Sequence, residues 1–318
     1  MPRALIVGHS GQDGSILWDQ LVARGFSLIG ISRHQVRTHR AQWDASVDIG
    51  DREAVSRLID RFRPEQIFFL AAHHHSSEQV RDDHIELWRN SWAVHVHAFS
   101  HFLESAVSCC PHARVFYASS SRVFGKVASS PQNESTPLRP ACAYGVTKAS
   151  AMLLADYFAR EHGLHVSCGI LYNHESPLRG AQFVSRRIVD GLLALKRGRA
   201  AILEVGTLDA RVDWGYAPDY TQAMQLILDK ADAGNFVIAS GTTHSVREMI
   251  TIAADYLGVE WQGRVVETAQ LLRRDPQQLC GDASNLRKVT RWTPSVNFPQ
   301  LVRILVDGAL ERERSHKG

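Results

Sequence analysis

The sequence predicts an α/β fold built on a doubly wound parallel sheet. Short apolar runs alternate with helical patterns through the first half of the chain, an order that is typical of βαβ units. The first run, residues 4–7, leads into a glycine-rich loop that opens a helix, as in a Rossmann-type sheet. From about residue 174 the alternation ends in a stretch punctuated by proline and glycine, which indicates a smaller, discontinuous α/β substrate-binding domain.

The candidate strands are apolar or β-branched and are bounded by turn or capping residues. They cover residues 4–7, 27–31, 66–70, 114–118 and 166–171, and a late strand at 235–239 is expected to return to the sheet. Helices are predicted over residues 13–24, 52–62, 85–108 and 144–162, the last of which ends at Gly163. We expect one domain over residues 1–172 with a strand near 235–240, and a second over 173–230 and 241–318.

Composition excludes several classes of protein. The 318 residues are 44% hydrophobic and 22% charged, which is typical of globular proteins and not of disordered or fibrous ones. A net charge of +3 does not by itself indicate nucleic-acid binding. The five cysteines form no CxxC pair and no disulfide framework, and no apolar run is long enough to cross a membrane. We expect a cytoplasmic protein that binds neither nucleic acid nor membrane.

The loop after the first strand is a candidate dinucleotide site. It reads Gly8-His9-Ser10-Gly11-Gln12-Asp13-Gly14, with glycines where a tight turn and a close approach to a pyrophosphate are needed. The N-terminus of the following helix would then face the phosphates. The spacing is GxxGxxG rather than GxGxxG, so a purely structural turn is the alternative. The predicted cofactor contacts here are Gly8, Ser10, Gly11, Gln12, Asp13 and Gly14.

The end of the second predicted strand bears on the choice between NAD and NADP. NAD-binding proteins carry an acidic residue there, whereas this chain reads Ser32-Arg33-His34. Arg33 is suited to pair with a 2′-phosphate, and a solvated basic loop is the alternative. Asp48 and Ile49 are placed to meet the adenine, although a helix-capping aspartate would look the same. We predict NADP as the cofactor, with NAD possible.

A tyrosine and a lysine mark the candidate catalytic site. Tyr144 and Lys148 lie one turn apart on one face of a predicted helix. The ammonium group can lower the phenol pKa and bind the nicotinamide ribose, so that tyrosinate exchanges a proton while hydride moves. Such a pair also arises by chance, and its position adds the specificity. It follows the run Ser119-Ser120-Ser121, which is placed to offer a hydroxyl to the same substrate oxygen, and we predict Tyr144 and Lys148 as catalytic residues.

Together these motifs resemble the extended short-chain dehydrogenase/reductases of the NAD-dependent epimerase/dehydratase family. Residues 11–14 (GQDG), 171–180 (LYNHESPLRG), 213–220 (DWGYAPDY) and 244–248 (HSVRE) are similar to its GDP-mannose 4,6-dehydratase branch. The resemblance spans nearly the whole chain. It implies a Rossmann domain with tightly held NADP, a nucleotide-diphosphate sugar as substrate, GDP-linked in that branch, and a homodimer or homotetramer.

The resemblance also implies roles for individual residues. Ser120 would bind the sugar O4, Tyr144 would be the base for its proton, and Lys148 would support Tyr144. Further cofactor contacts would be Leu70, Ala71, Ala72, His75, Leu171, Asn173, His174 and Arg179. The nucleotide-sugar pocket would include Ser121, Arg122, Asn173, Glu175, Phe183, Val184 and Arg186, with Arg211, Arg247 and one of Arg273 or Arg274 as candidates for the diphosphate. A surface arginine is the alternative for each of the last group, and no metal site is predicted.

The chain departs from the dehydratase pattern at the elimination step. Dehydratases read Ser-Thr-Ser-Glu or Ser-Thr-Asp-Glu after the strand, and the glutamate removes the C5 proton. This chain has Arg122 there, and arginine stays protonated at neutral pH and cannot be a general base. One hypothesis is a dehydratase in which another group, such as one of His73, His74 and His75, supplies the base. The others are a 4-keto-sugar reductase or C4 epimerase, and a non-catalytic dinucleotide-binding protein.

Three more features differ from the family or stay open. Val212 stands where the family has an arginine before Asp-Trp-Gly, and a helix that usually begins with Asn or Asp, two residues and Gly-Thr reads His95-Val96-His97-Ala98-Phe99. His97 and His101 have the spacing of a metal pair, but no carboxylate or cysteine completes it. The helices at 85–108 and 144–162 carry apolar stripes that either form a two-fold interface or face the sheet.

Overall fold

The computed structural model describes residues 1–33, 36–38, 47–73, 84–268 and 279–315. Its larger sheet contains β1 (Arg3–Val7), β2 (Ser27–Ile31), β3 (Val36–Thr38), β4 (Gln66–Phe69), β5 (Arg114–Ala118), β6 (His165–Leu171) and β10 (Gly234–Ile238). The strands lie in the order β10-β6-β5-β4-β1-β2-β3, and each neighbouring pair is parallel except β2 and β3. The strand order reverses at β1, which confirms the doubly wound sheet.

Helices cover both faces of this sheet. The described ranges contain the helices α1 (Gln12–Ala23), α2 (Arg52–Phe62), α3 (His84–Trp92), α4 (Phe99–Cys109), α5 (Ala143–His162), α6 (Val184–Lys196), α7 (Ala217–Lys230), α8 (Val246–Leu257), α9 (Ser284–Thr290) and α10 (Phe298–Ser315), of which α6, α8 and α10 pack in a separate core. A π-helical segment, Ala93–Ala98, joins α3 to α4, so the helix predicted over 85–108 is continuous but contains a widened turn. Helix α5 ends at Gly163 in the left-handed conformation, as glycine allows.

The burial of β4 shows how the sheet is held between two apolar layers. All four residues of β4 are buried, and successive side chains of a strand point to opposite faces. Ile67 and Phe69 pack with α2, α4 and α5, whereas Phe68 packs with α1 and α7. Strands buried on both faces require continuous apolar runs, which is the pattern that the sequence shows.

The smaller part of the molecule contains β7 (Asn173–Glu175), β8 (Leu203–Val205), β9 (Arg211–Tyr216), β11 (Thr243–Ser245) and β12 (Val265–Glu267). These strands form a three-stranded sheet, β11-β9-β7, and a two-stranded sheet, β12-β8. Helices α6, α8 and α10 enclose a separate apolar core around Ile188, Met249 and Leu305. Helix α7 lies in the chain between β9 and β10, yet its apolar side packs on the larger sheet. No helix of the described ranges is long and apolar enough to span a membrane.

One buried carboxylate joins the two parts. Asp213 of β9 accepts hydrogen bonds through Oδ1 from the Ser240 N–H at 2.9 Å and the Ser240 hydroxyl at 2.6 Å. Its Oδ2 accepts from the N–H groups of Gly241 and Gly281, each at 3.1 Å. Burial raises the pKa of Asp213, while these four hydrogen bonds act in the opposite direction. Ser240 follows β10 closely, so the contact connects the larger sheet to β9.

Candidate active site

The glycine loop lies at the carboxyl end of β1. Gly8 has a φ of +95°, and a Cβ there would lie 2.8 Å from the Ala71 nitrogen, which follows β4. A Cβ at Gly14 would lie 2.3 Å from the Gly8 carbonyl oxygen, so neither position accepts a side chain. Gly11 is the N-cap of α1 and has no side chain to satisfy the N–H groups of the first turn. The tight loop and the open helix N-terminus fit a pyrophosphate.

The glycine loop is joined to the end of β2, the strand that precedes the predicted contact Arg33. The N–H groups of Gly8 and His9 donate to the Ile31 carbonyl at 2.7 and 3.2 Å, which joins the loop to the end of β2. Arg33 follows β2 closely and is exposed. Asp48 accepts from the Gly50 N–H at 2.9 Å, and the helix cap of α2 is Asp51 instead.

Ser120, Tyr144 and Lys148 are brought together between β5 and α5. Ser120 lies just after β5, and its hydroxyl shares a hydrogen bond with the Tyr144 phenol. The buried Lys148 donates from Nζ to the Ala118 carbonyl at 2.6 Å. Its ammonium lies 5.7 Å from the centroid of the Tyr144 ring and 4.7 Å from that of Tyr117. The predicted trio therefore forms one cluster.

Burial dominates the electrostatics of this cluster. It raises the pKa of Tyr144 to about 12, while Arg179, the Ser120 hydrogen bond and Arg122 act in the opposite direction. Burial also lowers the pKa of Lys148 to about 7. Opposite charges attract, so a phenolate on Tyr144 and an ammonium on Lys148 would offset part of each other's desolvation penalty. The pair is therefore suited to hold a phenolate beside an ammonium once a proton has left the site.

Arg122 lies on a 3₁₀ helix of one turn, Ser121–Val123, which follows Ser120. Its N–H donates to the Ser120 hydroxyl at 3.3 Å. Its carbonyl oxygen would lie 2.5 Å from a Cβ at Gly145, so the turn packs closely on the start of α5. The positive charge of Arg122 also lowers the pKa of Tyr144, but less than the charge of Arg179 and the Ser120 hydrogen bond do.

The NHESP segment, residues 173–177, meets the glycine loop at β7. His174 contacts the Asp13 carboxylate through Nε2 at 2.9 Å and the Tyr172 carbonyl through Nδ1 at 2.7 Å. Both partners are acceptors, so the protonated ring satisfies both. Burial lowers the pKa of His174, but Asp13 outweighs that effect and raises it above 6.5. Gln12 donates to the His174 carbonyl at 3.2 Å and reinforces this junction.

The Asp13–His174 pair predicts a pH dependence of stability. The raised pKa of His174 stabilises the folded protein below pH 6.5, and this contribution is lost as the pH rises through the folded-state pKa. Burial opposes ionisation of Asp13, yet His174 keeps its pKa below 3.8, so its contribution is lost as the pH falls further. In thermal unfolding scans, we expect wild type to melt at a higher temperature than His174→Gln. This difference in melting temperature should be largest between pH 3.8 and 6.5 and should shrink at alkaline pH. An advantage that grows above neutral pH would contradict the charged pair, and Asp156→Asn, in an exposed ion pair, is the control.

Side chains after β7 form a second polar group. The buried Glu175 accepts from the Ser185 hydroxyl at 2.6 Å and lies 3.1 Å from the Arg179 Nε, an ionic contact without an aligned hydrogen bond. The Arg179 guanidinium stacks on the Phe183 ring at 3.5 Å from its centroid. Arg186 donates to the Arg179 carbonyl at 3.1 Å. The charge of Arg179 lowers the pKa values of both Asp13 and Tyr144.

The remaining predicted site residues are more dispersed. Arg211 and Arg247 are exposed and form ion pairs with Glu248 at 3.3 Å and Asp209 at 3.0 Å. Ser121 is buried at the start of the 3₁₀ turn and Leu171 is buried at the end of β6. Ala72 and Asn173 are exposed, and Val184 begins α6. Leu70 is half-buried directly after β4. The predictions for His74, His75, Arg273 and Arg274 lie outside the described residues.

His97 and His101 have the spacing of a metal-binding pair, but His101 hydrogen-bonds the backbone instead. His101 donates from Nδ1 to the Ile49 carbonyl at 3.1 Å, whereas His97 is exposed. Within the described part of the chain, no group of three or more His, Cys, Asp or Glu side chains is placed to bind a metal ion.

Sequence reasoning missed two buried residues next to the cluster. Thr147 lies between Tyr144 and Lys148, and its hydroxyl is 2.7 Å from the Nδ1 of the buried His95. Tyr117 in β5 donates to the His95 carbonyl at 3.3 Å. The altered helix start that includes His95 was the signal available in the sequence, but it did not indicate these contacts.

The sequence matches a known protein family over nearly its whole length. The family model for GDP-mannose 4,6 dehydratase matches residues 5–305. GDP-mannose 4,6 dehydratase 2 of Arabidopsis thaliana is 32% identical, over 99% of this chain and 88% of its own length. The human GDP-mannose 4,6 dehydratase is 31% identical, over 98% of this chain and 92% of its own.

Solved structures show the same fold. RMD from Pseudomonas aeruginosa, complexed with NADPH, has a TM-score of 0.84 and 23% identity, covering 98% of this chain and 100% of its own. DesIV, a dTDP-glucose 4,6-dehydratase from Streptomyces venezuelae with NAD and TYD bound, has a TM-score of 0.83 and 23% identity, covering 98% of both chains. The family match over residues 5–305 and these relatives show that the chain belongs to the GDP-mannose 4,6-dehydratase family of extended short-chain dehydrogenase/reductases.

Proposed function

We propose that the protein is an NADP-dependent enzyme that transfers hydride at C4 of a nucleotide-linked sugar, with a GDP-sugar as the substrate class. The observation that carries the proposal is the cluster of Ser120, Tyr144 and Lys148, which begins at the carboxyl end of β5. The glycine loop lies at the carboxyl end of β1, on the same edge of the parallel sheet. In such sheets, ligands bind across this edge.

Side chains of the protein accept and return the proton in this reaction. Bound NADP supplies the acceptor and donor of the hydride. Tyr144 takes the O4 proton as the C4–H bond breaks, which leaves a carbonyl at C4, and it returns the proton when C4 is reduced. Ser120 hydrogen-bonds the same oxygen, and the Lys148 ammonium, near the Tyr144 ring, stabilises the phenolate.

Arg122 supports a second candidate for the net reaction. Arg122 stands at the sequence position where dehydratases have their carboxylate base, and its guanidinium stays protonated at neutral pH. Reduction of a 4-keto sugar and epimerisation at C4 need hydride and Tyr144 but no base at C5. The second candidate is therefore a GDP-4-keto-sugar reductase or C4 epimerase.

Product analysis separates these reactions. Protein, NADP and GDP-mannose are incubated and examined for a 4-keto-6-deoxy product, and a GDP-4-keto sugar with NADPH is tested in parallel. Formation of the 4-keto-6-deoxy product supports dehydration, whereas turnover of the 4-keto sugar alone supports the reductase. Arg122→Glu restores a carboxylate, and Arg122→Gln is its matched control. If neither substrate turns over while NADPH binds, the hydride-transfer proposal fails in favour of a dinucleotide-binding protein.

The cofactor proposal predicts a selective effect at Arg33. We expect Arg33→Ala to raise the Kd for NADPH about tenfold or more and to leave the Kd for NADH within about twofold. The reason is that a charge-assisted hydrogen bond to the 2′-phosphate is lost only with NADPH. Fluorescence titration measures both constants, and Arg57→Ala, in an exposed ion pair on α2, is the control. Equal weakening of both cofactors would contradict a 2′-phosphate contact.

We also propose a homodimer, with a homotetramer as its larger form. Large apolar side chains are exposed on two neighbouring helices, Ile85 and Trp88 on α3 and Leu153 and Tyr157 on α5. An apolar surface of this kind is typical of protein interfaces. We expect Leu153→Asp to dissociate to monomers, whereas wild type stays associated. Sedimentation equilibrium of both proteins tests this. All five cysteines are free, which suits the cytoplasmic location that we propose.

A further inference from the structure

We propose that His95 is a positioning residue whose neutral ring ties the loop after β4 to α5, and so holds the glycine loop and Tyr144 in one arrangement. The kinetic part of this inference rests on the proposed hydride transfer. The structural part does not, because it concerns hydrogen bonds within the chain.

The two ring nitrogens of His95 bridge two separate elements. The ring is fully buried, and its Nε2 accepts from the backbone N–H of His73 at 3.0 Å. A backbone N–H can only donate, so Nε2 carries no proton in this arrangement. Nδ1 is 2.7 Å from the Thr147 hydroxyl and is therefore the protonated nitrogen that donates to it. The Thr147 hydroxyl in turn donates to the carbonyl of Ala143 or Tyr144, at 3.0 or 3.1 Å.

The π-helical segment provides a further contact at the same residue. The Tyr117 hydroxyl donates to the His95 carbonyl at 3.3 Å. A widened turn changes the backbone pairing of a helix and is frequent at functional sites. The Tyr117 ring also lies 4.7 Å from the Lys148 ammonium. His95 is thus linked to Lys148 as well as to the two elements that its ring joins.

Each end of the bridge reaches the proposed site. Two residues before His73, the Ala71 backbone packs so closely on Gly8 that a Cβ there would lie 2.8 Å from the Ala71 nitrogen. At the other end, the His95 ring meets the Tyr144 ring edge to face, with centroids 5.2 Å apart and planes at 89°. A continuous series of contacts therefore runs from the glycine loop to the proposed proton-transfer residue.

Two substitutions separate the functions of the ring nitrogens. In His95→Gln, the amide oxygen reaches the Nε2 position and can accept from the His73 N–H, but the contact with Thr147 is lost. In His95→Asn, the amide nitrogen can donate to Thr147, but the side chain is too short to reach His73. His97→Gln is the matched control, because His97 is exposed on the same π-helical segment.

We expect the two variants to differ in NADPH affinity. His95→Asn should raise the Kd for NADPH about three- to tenfold, the size of one buried hydrogen bond, whereas His95→Gln stays within about twofold of wild type. At saturating NADPH, kcat should fall about three- to tenfold in both, because neither keeps the ring against Tyr144. A purely structural role would change NADPH affinity to the same extent in both variants, and that result would overturn the proposal.

Two measurements test the bridge without turnover. Amide exchange of His73 should be about three- to tenfold faster in His95→Asn than in wild type and His95→Gln. The ¹⁵N signals of the His95 ring, assigned from their loss in His95→Gln, should show the neutral form protonated at Nδ1. Equal exchange in all three proteins, or a ring protonated at Nε2, would overturn the proposal.

Thr147 keeps the proposal testable if the His95 variants do not fold. Thr147→Val removes the hydroxyl and should lower kcat about three- to tenfold, and Thr147→Ser should restore it. Wild-type kcat in Thr147→Val would overturn the proposal. If wild type turns over no nucleotide sugar, the proposed function fails, while amide exchange and the ring signals still decide the role of His95.

Discussion

Replacing Tyr144 with phenylalanine is expected to lower kcat by about 10²–10⁴-fold while the Kd for NADPH stays within about twofold. The substitution removes only the hydroxyl that shares a hydrogen bond with Ser120, and it keeps the ring that packs against His95. Without the phenol, O4 has no acceptor for its proton, so the C4–H bond cannot break as hydride. Single-turnover absorbance of NADPH at saturating cofactor measures the chemical step directly.

Tyr256→Phe is the control for Tyr144→Phe, because Tyr256 is exposed on α8, in the smaller part of the molecule. It should turn over like wild type. Retention of more than a tenth of wild-type kcat in Tyr144→Phe would show that another group moves the proton. A large loss of NADPH affinity in Tyr144→Phe would show instead that the phenol is needed for binding.

The second large effect concerns Lys148, where we expect lost activity together with gained stability. Lys148→Met should lower kcat about 10²-fold or more, because the ammonium no longer stabilises the phenolate. The protein without cofactor should melt several degrees higher, because burial lowers the pKa of Lys148 from 10.5 to about 7 and so opposes the charged lysine in the folded state. Loss of the hydrogen bond to the Ala118 carbonyl offsets part of this gain.

The gain in thermal stability from Lys148→Met should depend on pH. Between pH 7 and 10.5 the unfolded chain holds a proton on Lys148 that the folded chain has lost, so wild-type stability rises with pH there. The advantage of the variant should therefore be largest below pH 7 and shrink above it. Calorimetric scans across this range check the trend. A variant less stable than wild type at pH 6 would contradict the buried-ammonium argument, and Lys230→Met, at an exposed position of α7, is the control.

The sequence predicts the larger sheet well because its signals are local. The apolar runs at 27–31 and 114–118 coincide with β2 and β5, and β6 begins one residue before the predicted start. The short β3 and the π-helical segment were not predicted. Three residues of β3 carry too little periodicity to identify a strand, and the apolar pattern of residues 85–108 continues through the widened turn.

The site also combines contacts that the local sequence predicts with long-range contacts that it does not predict. Tyr144 and Lys148 are one turn apart on one helix, so their spacing in the sequence already describes their proximity. His95 meets His73 across 22 residues and Thr147 across 52, and no local pattern encodes either contact. The role of α7 could not be predicted for a related reason. Its position after β9 suggests the smaller part, yet Tyr220 and Met224 pack into the core of the larger sheet.

The four hydrogen bonds to Asp213 restrict how strand β9 can move when a sugar nucleotide binds. They fasten strand β9 to the backbone at Ser240, Gly241 and Gly281, on both sides of the boundary between the sheets. Moving β9 away from these backbone groups would break all four hydrogen bonds and leave a buried carboxylate without partners. We therefore expect strand β9 and the residues that follow β10 to keep their relative position when a substrate binds.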